Sequence, residues 1–286
     1  EDIDKAGAIY FIGCEIDKDN AVLGFRINSL KQDKDIKLVN IHKTDDSSMN
    51  HKCNCSAKVD SYYNFLRAMN YIVVKDNLIN KLFIDGNTEG FGEYKESLLK
   101  SDLSELIKKS GLTEEKIRKI IRHYNEEQNA VIIFNEKNLS SSAIKEIFNL
   151  ALLTGKLGKT ASGVIALKEK NNAQGLFDMG ITCCLENEIK ATMKKEWGFE
   201  AAECNKTHGN IKNLFIFGED PAGCSDKAKE VSDMLKGISF KVVSDYFMTE
   251  TAKLADVILP ASFPIETGGS FTNAQKKIAV FEPSRK

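Results

Sequence analysis

Short apolar runs alternate with amphipathic stretches along this chain, and their spacing predicts buried strands interleaved with covering helices. Ala8-Ile-Tyr-Phe-Ile-Gly13 and Ile36–Ile41 read as buried strands, and Val22–Leu30 between them as a helix. That order is a βαβ unit, which implies parallel pairing through a right-handed crossover. Asp60–Lys75 predicts a further helix. Over Leu103–Tyr124 the helical period is interrupted by Ser110-Gly-Leu-Thr-Glu-Glu115, a break followed by a new N-cap at Thr113. Ala130–Phe134 reads as another short buried strand and Ser140–Leu153 as the helix after it.

A second set follows Gly155. Asn213–Phe217 is predicted as a strand, Ser225–Lys236 as a helix, Phe240–Val243 as a strand, and Asp256–Leu259 as a short strand closed by Pro260. The stretch Gly158–Gly180, rich in Gly and Asn, is expected to be a long loop crossing between the sets. The boundary is accordingly expected near residues 155–165, dividing lobes 1–158 and 159–286. The expected fold class is α/β, with two doubly wound, mostly parallel-sheet lobes.

Composition narrows the partners. The 286 residues carry 40 basic and 41 acidic side chains, so no charge excess draws the chain to nucleic acid or an anionic membrane. No apolar run approaches the roughly 20 residues a spanning helix needs, so direct membrane insertion is not expected. The chain opens without Met and runs almost at once into a strand, which suggests a piece of a longer polypeptide. Seven cysteines without a regular framework favour free thiols and a cytoplasmic location.

Three segments are candidates for chemistry. Phe217-Gly-Glu-Asp-Pro-Ala222 follows a strand and precedes a helix, where open α/β sheets bind ligands. There Gly218 would admit a ligand to the backbone, and Glu219 or Asp220 beside Pro221 would accept hydrogen bonds from a base or ribose. Taken alone, an ordinary strand-to-helix turn is the better reading. Lys168-Glu-Lys-Asn-Asn-Ala-Gln-Gly175 with Asp178-Met-Gly180 sets Asn171, Asn172 and Gln174 in a Gly-containing loop. Amides suit the polar edge of a heterocycle, although, taken alone, a solvated loop is the better reading. Thr249 and Thr251, flanking Glu250, are placed to hold phosphate or other ligand oxygens, or else Thr249 is simply an N-cap.

The metal-ligand spacing of known sites is not met. His51-Lys-Cys53-Asn-Cys55 and Cys204-Asn-Lys-Thr-His208 do not supply four ligands at a recognised spacing. Cys14 and Cys183-Cys184 read as buried or incidental thiols. No resident metal site is expected among these residues, and the chain has no Walker loop, G-x-G-x-x-G or Ser/His/Asp order.

The order of the motifs says more than any one of them. Thr88-Glu-Gly-Phe-Gly-Glu-Tyr94, Ser110–Ile117, Asn149–Gly158, Asn171–Gly180, Gly218–Pro221 and Asp245–Pro260, running on to Phe271-Thr-Asn273, follow one another. This succession resembles the central part of formate dehydrogenase large subunits in the molybdopterin-oxidoreductase family. It is also similar to the large iron–sulfur subunit of NADH:quinone oxidoreductase. The resemblance implies an iron–sulfur segment before residue 1 and a C-terminal barrel after residue 286. It implies a molybdopterin guanine dinucleotide with molybdenum or tungsten in the parent protein. Partners would be other redox subunits or domains of an electron-transfer enzyme.

The departures from that pattern lie mostly in the first lobe. Lys168 stands at the family's Arg position and, in a catalytic member, would lie near the substrate, keeping the charge but lacking the planar fork that suits a carboxylate. Where the family has Gly-x-Asn-Pro after the first strand, this chain has Gly13-Cys-Glu-Ile16, and its Asp-Pro-Arg becomes His42-Lys-Thr44. The later Gly-Thr-Asp turn is replaced around Asp60-Ser-Tyr62, and the Gly-rich stretch by Asn135-Glu-Lys-Asn-Leu139. The expectation is a scaffold with an eroded pterin site, inactive as an isolated fragment. The alternative is a catalytic formate-dehydrogenase-type domain.

Overall fold

The structure, a computed structural model, describes residues 2–44, 47–168, 170–181, 194–196, 211–273 and 275–284. The chain divides into two units, Glu1–Asn171 and Asn172–Lys286.

The first unit is a five-stranded sheet ordered β3-β2-β1-β4-β5. Its strands are β1 (Ala8–Ile12), β2 (Lys37–His42), β3 (Cys55–Lys58), β4 (Ala130–Asn135) and β5 (Gly163–Leu167), each parallel to its neighbour. Side chains alternate across a strand, and in β1 both sides are buried. Ala8, Tyr10 and Ile12 enter one core with Phe65, Ile120 and Leu150, while Ile9 and Phe11 enter the other with Ile27, Leu38 and Ile133. A strand covered on both faces must be apolar throughout, which is why β1 and β4 stand out as unbroken runs.

The helices begin where the sequence supplies caps. Ser61 accepts from the Asn64 N–H ahead of Tyr62–Lys75, Thr113 from Lys116 ahead of Glu114–Glu126, and Ser140 from Ala143 ahead of Ser141–Leu153. Gly111, at φ 78°, ends Leu103–Ser110 in the left-handed conformation a C-terminal glycine permits. The expected break and restart at Ser110–Glu115 are thus both present.

The segment 158–180 is not the expected loop. It contains β5, paired with β4 from Val131↔Gly163 to Asn135↔Leu167, and the helix Ala173–Asp178. Gly-Val-Ile-Ala-Leu is an edge strand, and four of its five residues are only half-buried. It therefore lacks the unbroken burial that marks central strands, and its glycine-rich flanks conceal it. The boundary between units falls at Asn171–Asn172 rather than at 158–159.

The second unit has a parallel three-stranded sheet ordered β6-β7-β8, from β6 (Asn213–Phe217), β7 (Phe240–Asp245) and β8 (Val257–Pro260). An antiparallel hairpin of β9 (Gly269–Thr272) and β10 (Ile278–Phe281) accompanies it. Leu214 and Ile216 of β6 pack with Ala222, Val231, Leu235 and Ile238 on one face. The helix predicted over Ser225–Lys236 begins at Ala228 and runs to Lys236, and a separate one-turn helix, Pro221–Cys224, precedes it. Among the described residues no helix is long and apolar enough to cross a membrane.

Candidate functional site

In a doubly wound sheet ligands bind beyond the carboxyl ends of the strands, at the point where strand order reverses. In the first unit that point lies between β1 and β4. Gly13, at φ 61°, turns the chain immediately after β1. The Asn138 side-chain amide donates to the Gly13 carbonyl at 2.9 Å, bridging the two strand ends. The space above Gly13 is filled: a Cβ built there would stand 2.4 Å from Leu139 Cδ1 and 3.2 Å from the Tyr62 ring. On the side a Cβ would face, Gly13 is therefore covered by the chain's own Leu139 and Tyr62.

The neighbouring strand ends are committed in the same way. His42, at the end of β2, is buried, with Nδ1 2.7 Å from the Thr44 carbonyl and Nε2 3.0 Å from Ser56 Oγ. After β4, the Asn135 side chain accepts from the Lys137 N–H. Lys168, one residue beyond β5, places Nζ 2.5 Å from Glu136 Oε1. Asn171 is exposed at the end of this unit.

In the second unit the predicted residues fall into two groups. Asn172 accepts from the Thr272 N–H at 2.9 Å and so ties the chain ahead of Ala173–Asp178 to β9. Gly175 is buried beneath it, and a Cβ there would lie 2.3 Å from Asn172 Oδ1, so only glycine fits. Gln174 reaches along its own helix, donating to Asp178 at 2.7 Å.

The second group surrounds the end of β6. Asp220 Oδ1 accepts from the Thr251 N–H at 2.9 Å, the Thr251 hydroxyl at 2.7 Å and the Gly223 N–H at 3.1 Å. Thr251, itself buried, accepts in turn from the Ala222 N–H at 2.9 Å. These bonds, the Thr251 hydroxyl first, hold the Asp220 carboxyl below the usual carboxylate range. Thr249 caps the turn that follows, accepting from Ala252 N–H at 3.1 Å. Asp220 and Thr251 thus form an internal clasp, whereas Gly218 and Glu219 remain exposed. Gly218 turns at φ 62°, and among the described residues nothing lies within 4 Å of where a Cβ would sit. Beside this rim, Tyr246 stacks on Phe263 with centroids 4.7 Å apart, and both rings are exposed. Sequence reasoning missed this aromatic pair, whose two members are separated along the chain and carry no motif.

Among the described residues no group of three or more His, Cys, Asp or Glu side chains could hold a metal ion. Cys53 packs against one core of the first unit and Cys55 against the other, on opposite faces of the sheet. Burial pushes the Cys53 thiol up to about 12 and raises that of Cys14 still further, so neither is a ready thiolate. Cys183, Cys184, Cys204 and His208 lie outside the described residues.

Comparison with known proteins agrees with this architecture. The family model for molybdopterin oxidoreductase matches residues 1–285. The F420-dependent formate dehydrogenase subunit alpha of Methanocaldococcus jannaschii is 33% identical over 98% of this chain and 44% of that protein. The assimilatory nitrate reductase catalytic subunit of Bacillus subtilis is 32% identical over 75% of this chain and 34% of that protein. Among solved structures, acetylene hydratase from Pelobacter acetylenicus superposes with a TM-score of 0.71 at 17% identity, covering 98% of this chain and 44% of the other. The chain spans less than half the length of these relatives. A match over nearly every residue places the chain in the molybdopterin oxidoreductase family.

Proposed function

We propose that this chain is the scaffold portion of a formate-dehydrogenase-type redox subunit whose first-unit cofactor crevice is closed by its own side chains. One observation carries the reading: the Asn138 amide bonded to the Gly13 carbonyl, with Leu139 packed where Gly13 would face a ligand. Family membership implies a molybdopterin cofactor in the parent protein. The first-unit strand ends do not fit a guanine dinucleotide, because the His42, Asn135, Asn138 and Lys168 groups already hold partners of their own. The second unit fits better, since the Gly218 turn offers an unobstructed backbone beside exposed Glu219. In this reading electrons travel through iron–sulfur clusters elsewhere in the parent protein, as in a NADH dehydrogenase-like subunit. Other redox subunits would be its partners, in the cytoplasm.

The open Gly218 turn favours a second reading. Here the parent is a catalytic formate dehydrogenase carrying a molybdopterin guanine dinucleotide with molybdenum or tungsten, and Lys168 lies near the substrate. Elemental and pterin analysis of the purified full-length protein separates the two. Iron without stoichiometric molybdenum, tungsten or pterin is the expected result. Stoichiometric metal and pterin would overturn the scaffold reading.

A further inference from the structure

Parallel sheets are covered on both faces, and in the second unit strand register assigns those faces. Phe215, Val242 and Val257 share one row and Phe217, Ser244 and Leu259 the next, so they project from one face together with Phe240. Leu214 and Ile216 project from the other, where Val231, Leu235 and Leu254 cover them. Among the described residues the first face has no such cover. Phe215 is 58% and Phe217 69% exposed, and Phe240, Val257 and Leu259 are exposed as well.

Topology accounts for the difference. The chain steps from β6 to β7 to β8 in one direction, and right-handed crossovers that step the same way lie on the same face. The helix Ala228–Lys236 and the turn Ala252–Leu254 belong to these two connections. In a doubly wound sheet, a helix on the opposite face comes from a connection stepping the other way, toward a strand beyond β6. Among the described residues β6 pairs with β7 alone. The Gly218 N–H and the Lys212 carbonyl face β7, so by alternation the backbone N–H and C=O of Phe215 and Phe217 point away from it.

We propose that this three-stranded sheet is one half of a doubly wound sheet and docks a strand-and-helix unit of the same, longer polypeptide. The strand pairs with β6, and the helix lays an apolar stripe over Phe215, Phe217 and Leu259. Area selects this occupant over a second copy of the chain. The exposed parts of the five side chains amount to roughly 500 Å² of apolar surface. That falls short of the roughly 800 Å² per partner in a stable complex of separate chains, yet one amphipathic helix can cover it. A segment of the same polypeptide needs no larger surface, because its tether raises its effective concentration. Length allows it: the Methanocaldococcus jannaschii relative is matched over only 44% of its own length. The inference holds whether the parent protein is a scaffold or a catalyst.

The test uses the full-length protein. In the wild type, hydrogen exchange read residue by residue should find the Phe215 and Phe217 amides about a hundredfold or more slower than unpaired amides. Phe217→p-benzoylphenylalanine then places a photoreactive ring on the face. On irradiation it should cross-link within one chain to a segment outside residues 1–286, at apolar positions three or four apart. Should that variant not fold, the same replacement at Phe240 reads the same face. Exchange at both amides as fast as at unpaired ones would overturn the proposal. So would the absence of any cross-link outside residues 1–286, or cross-linking between two copies whose yield rises with protein concentration.

Discussion

Replacing Lys156 by Met measures what a buried ammonium costs this fold. Lys156 is only 4% exposed. Its Nζ donates to the Glu127 carbonyl and lies 5.0 Å from the centre of the Tyr124 ring, while the Glu127 carboxylate is engaged by Lys37 at 2.5 Å. Burial first, then repulsion from Lys159, brings the lysine down to about 8 from its ordinary 10.5, with Glu127 opposing. At about 1.4 kcal/mol per unit, that displacement corresponds to at most roughly 3 kcal/mol. Residual solvation reduces the expected effect to about 1–2 kcal/mol. The folded value lies below the unfolded one, so between pH 8 and 10.5 the unfolded chain binds more protons and stability rises with pH. Urea unfolding followed by circular dichroism across that window should show the wild type gaining this amount relative to K156M, because the buried Cys14 and Cys53 thiols, raised by burial, add a falling slope common to both proteins. K156M should have stability at neutral pH equal to or above wild type, since an apolar side chain of similar length removes the desolvation cost. The reasoning is refuted if K156M loses more than about 1 kcal/mol at neutral pH, a result that would make the Glu127 and Tyr124 contacts outweigh desolvation.

Three other substitutions probe the packing around the candidate site. Gly13→Ala puts a methyl group against Leu139 and Tyr62 at positive φ and should cost about 1–3 kcal/mol in urea unfolding; a neutral result would mean the crevice is looser than its geometry. Glu146 accepts from Arg67 at 2.9 Å, Asn70 at 2.7 Å and the Tyr94 hydroxyl at 2.6 Å, all in the first unit's interior. Glu146→Ala strands a half-buried guanidinium and should lower stability by about 3–5 kcal/mol, checked by the unfolding midpoint. Thr251→Val removes one donor to Asp220 and the acceptor of the Ala222 N–H, for about 1–3 kcal/mol at neutral pH. Because Asp220 is held below its ordinary range, its contribution is present above that range and lost as pH falls through the folded value. The wild-type advantage over T251V should shrink in acid, and an advantage constant with pH would contradict this.

Central strands and capped helices were legible because burial on two faces, or a Ser or Thr at a helix start, leaves a mark on consecutive residues. Ala8–Ile12, Ala130–Asn135 and the Thr113 cap are of this kind. Edge strands leave a fainter mark. β3 is Cys-Ser-Ala-Lys and β5 is Gly-Val-Ile-Ala-Leu, each supported by a neighbour on one side only. Neither needs an unbroken apolar run, so the first shows in the sequence only as the end of the His51–Cys55 grouping weighed for metal ligation, and the second reads as loop. Missing β5 displaced the boundary between units, because the strand that completes the first sheet lies beyond the point where apolar periodicity fades.

The site was legible at the level of where side chains stand, and less so at the level of what they hold. Gly13 and Gly218 both turn the chain after a strand at nearly the same φ, 61° and 62°. From sequence the two positions look alike as possible backbone approaches to a ligand. Three-dimensional context separates them: Leu139, Tyr62 and Asn138 converge on Gly13, while among the described residues nothing stands within 4 Å of a Cβ on Gly218. The same holds for Thr251, whose hydroxyl suits a phosphate oxygen by chemistry but is spent between Asp220 and the Ala222 amide. A polar residue at a strand's carboxyl end therefore marks a ligand site only if its hydrogen-bonding capacity is left over after the fold is satisfied. That remainder depends on long-range partners, 125 residues apart for Asn138 and Gly13 and 31 for Asp220 and Thr251, which no local motif encodes.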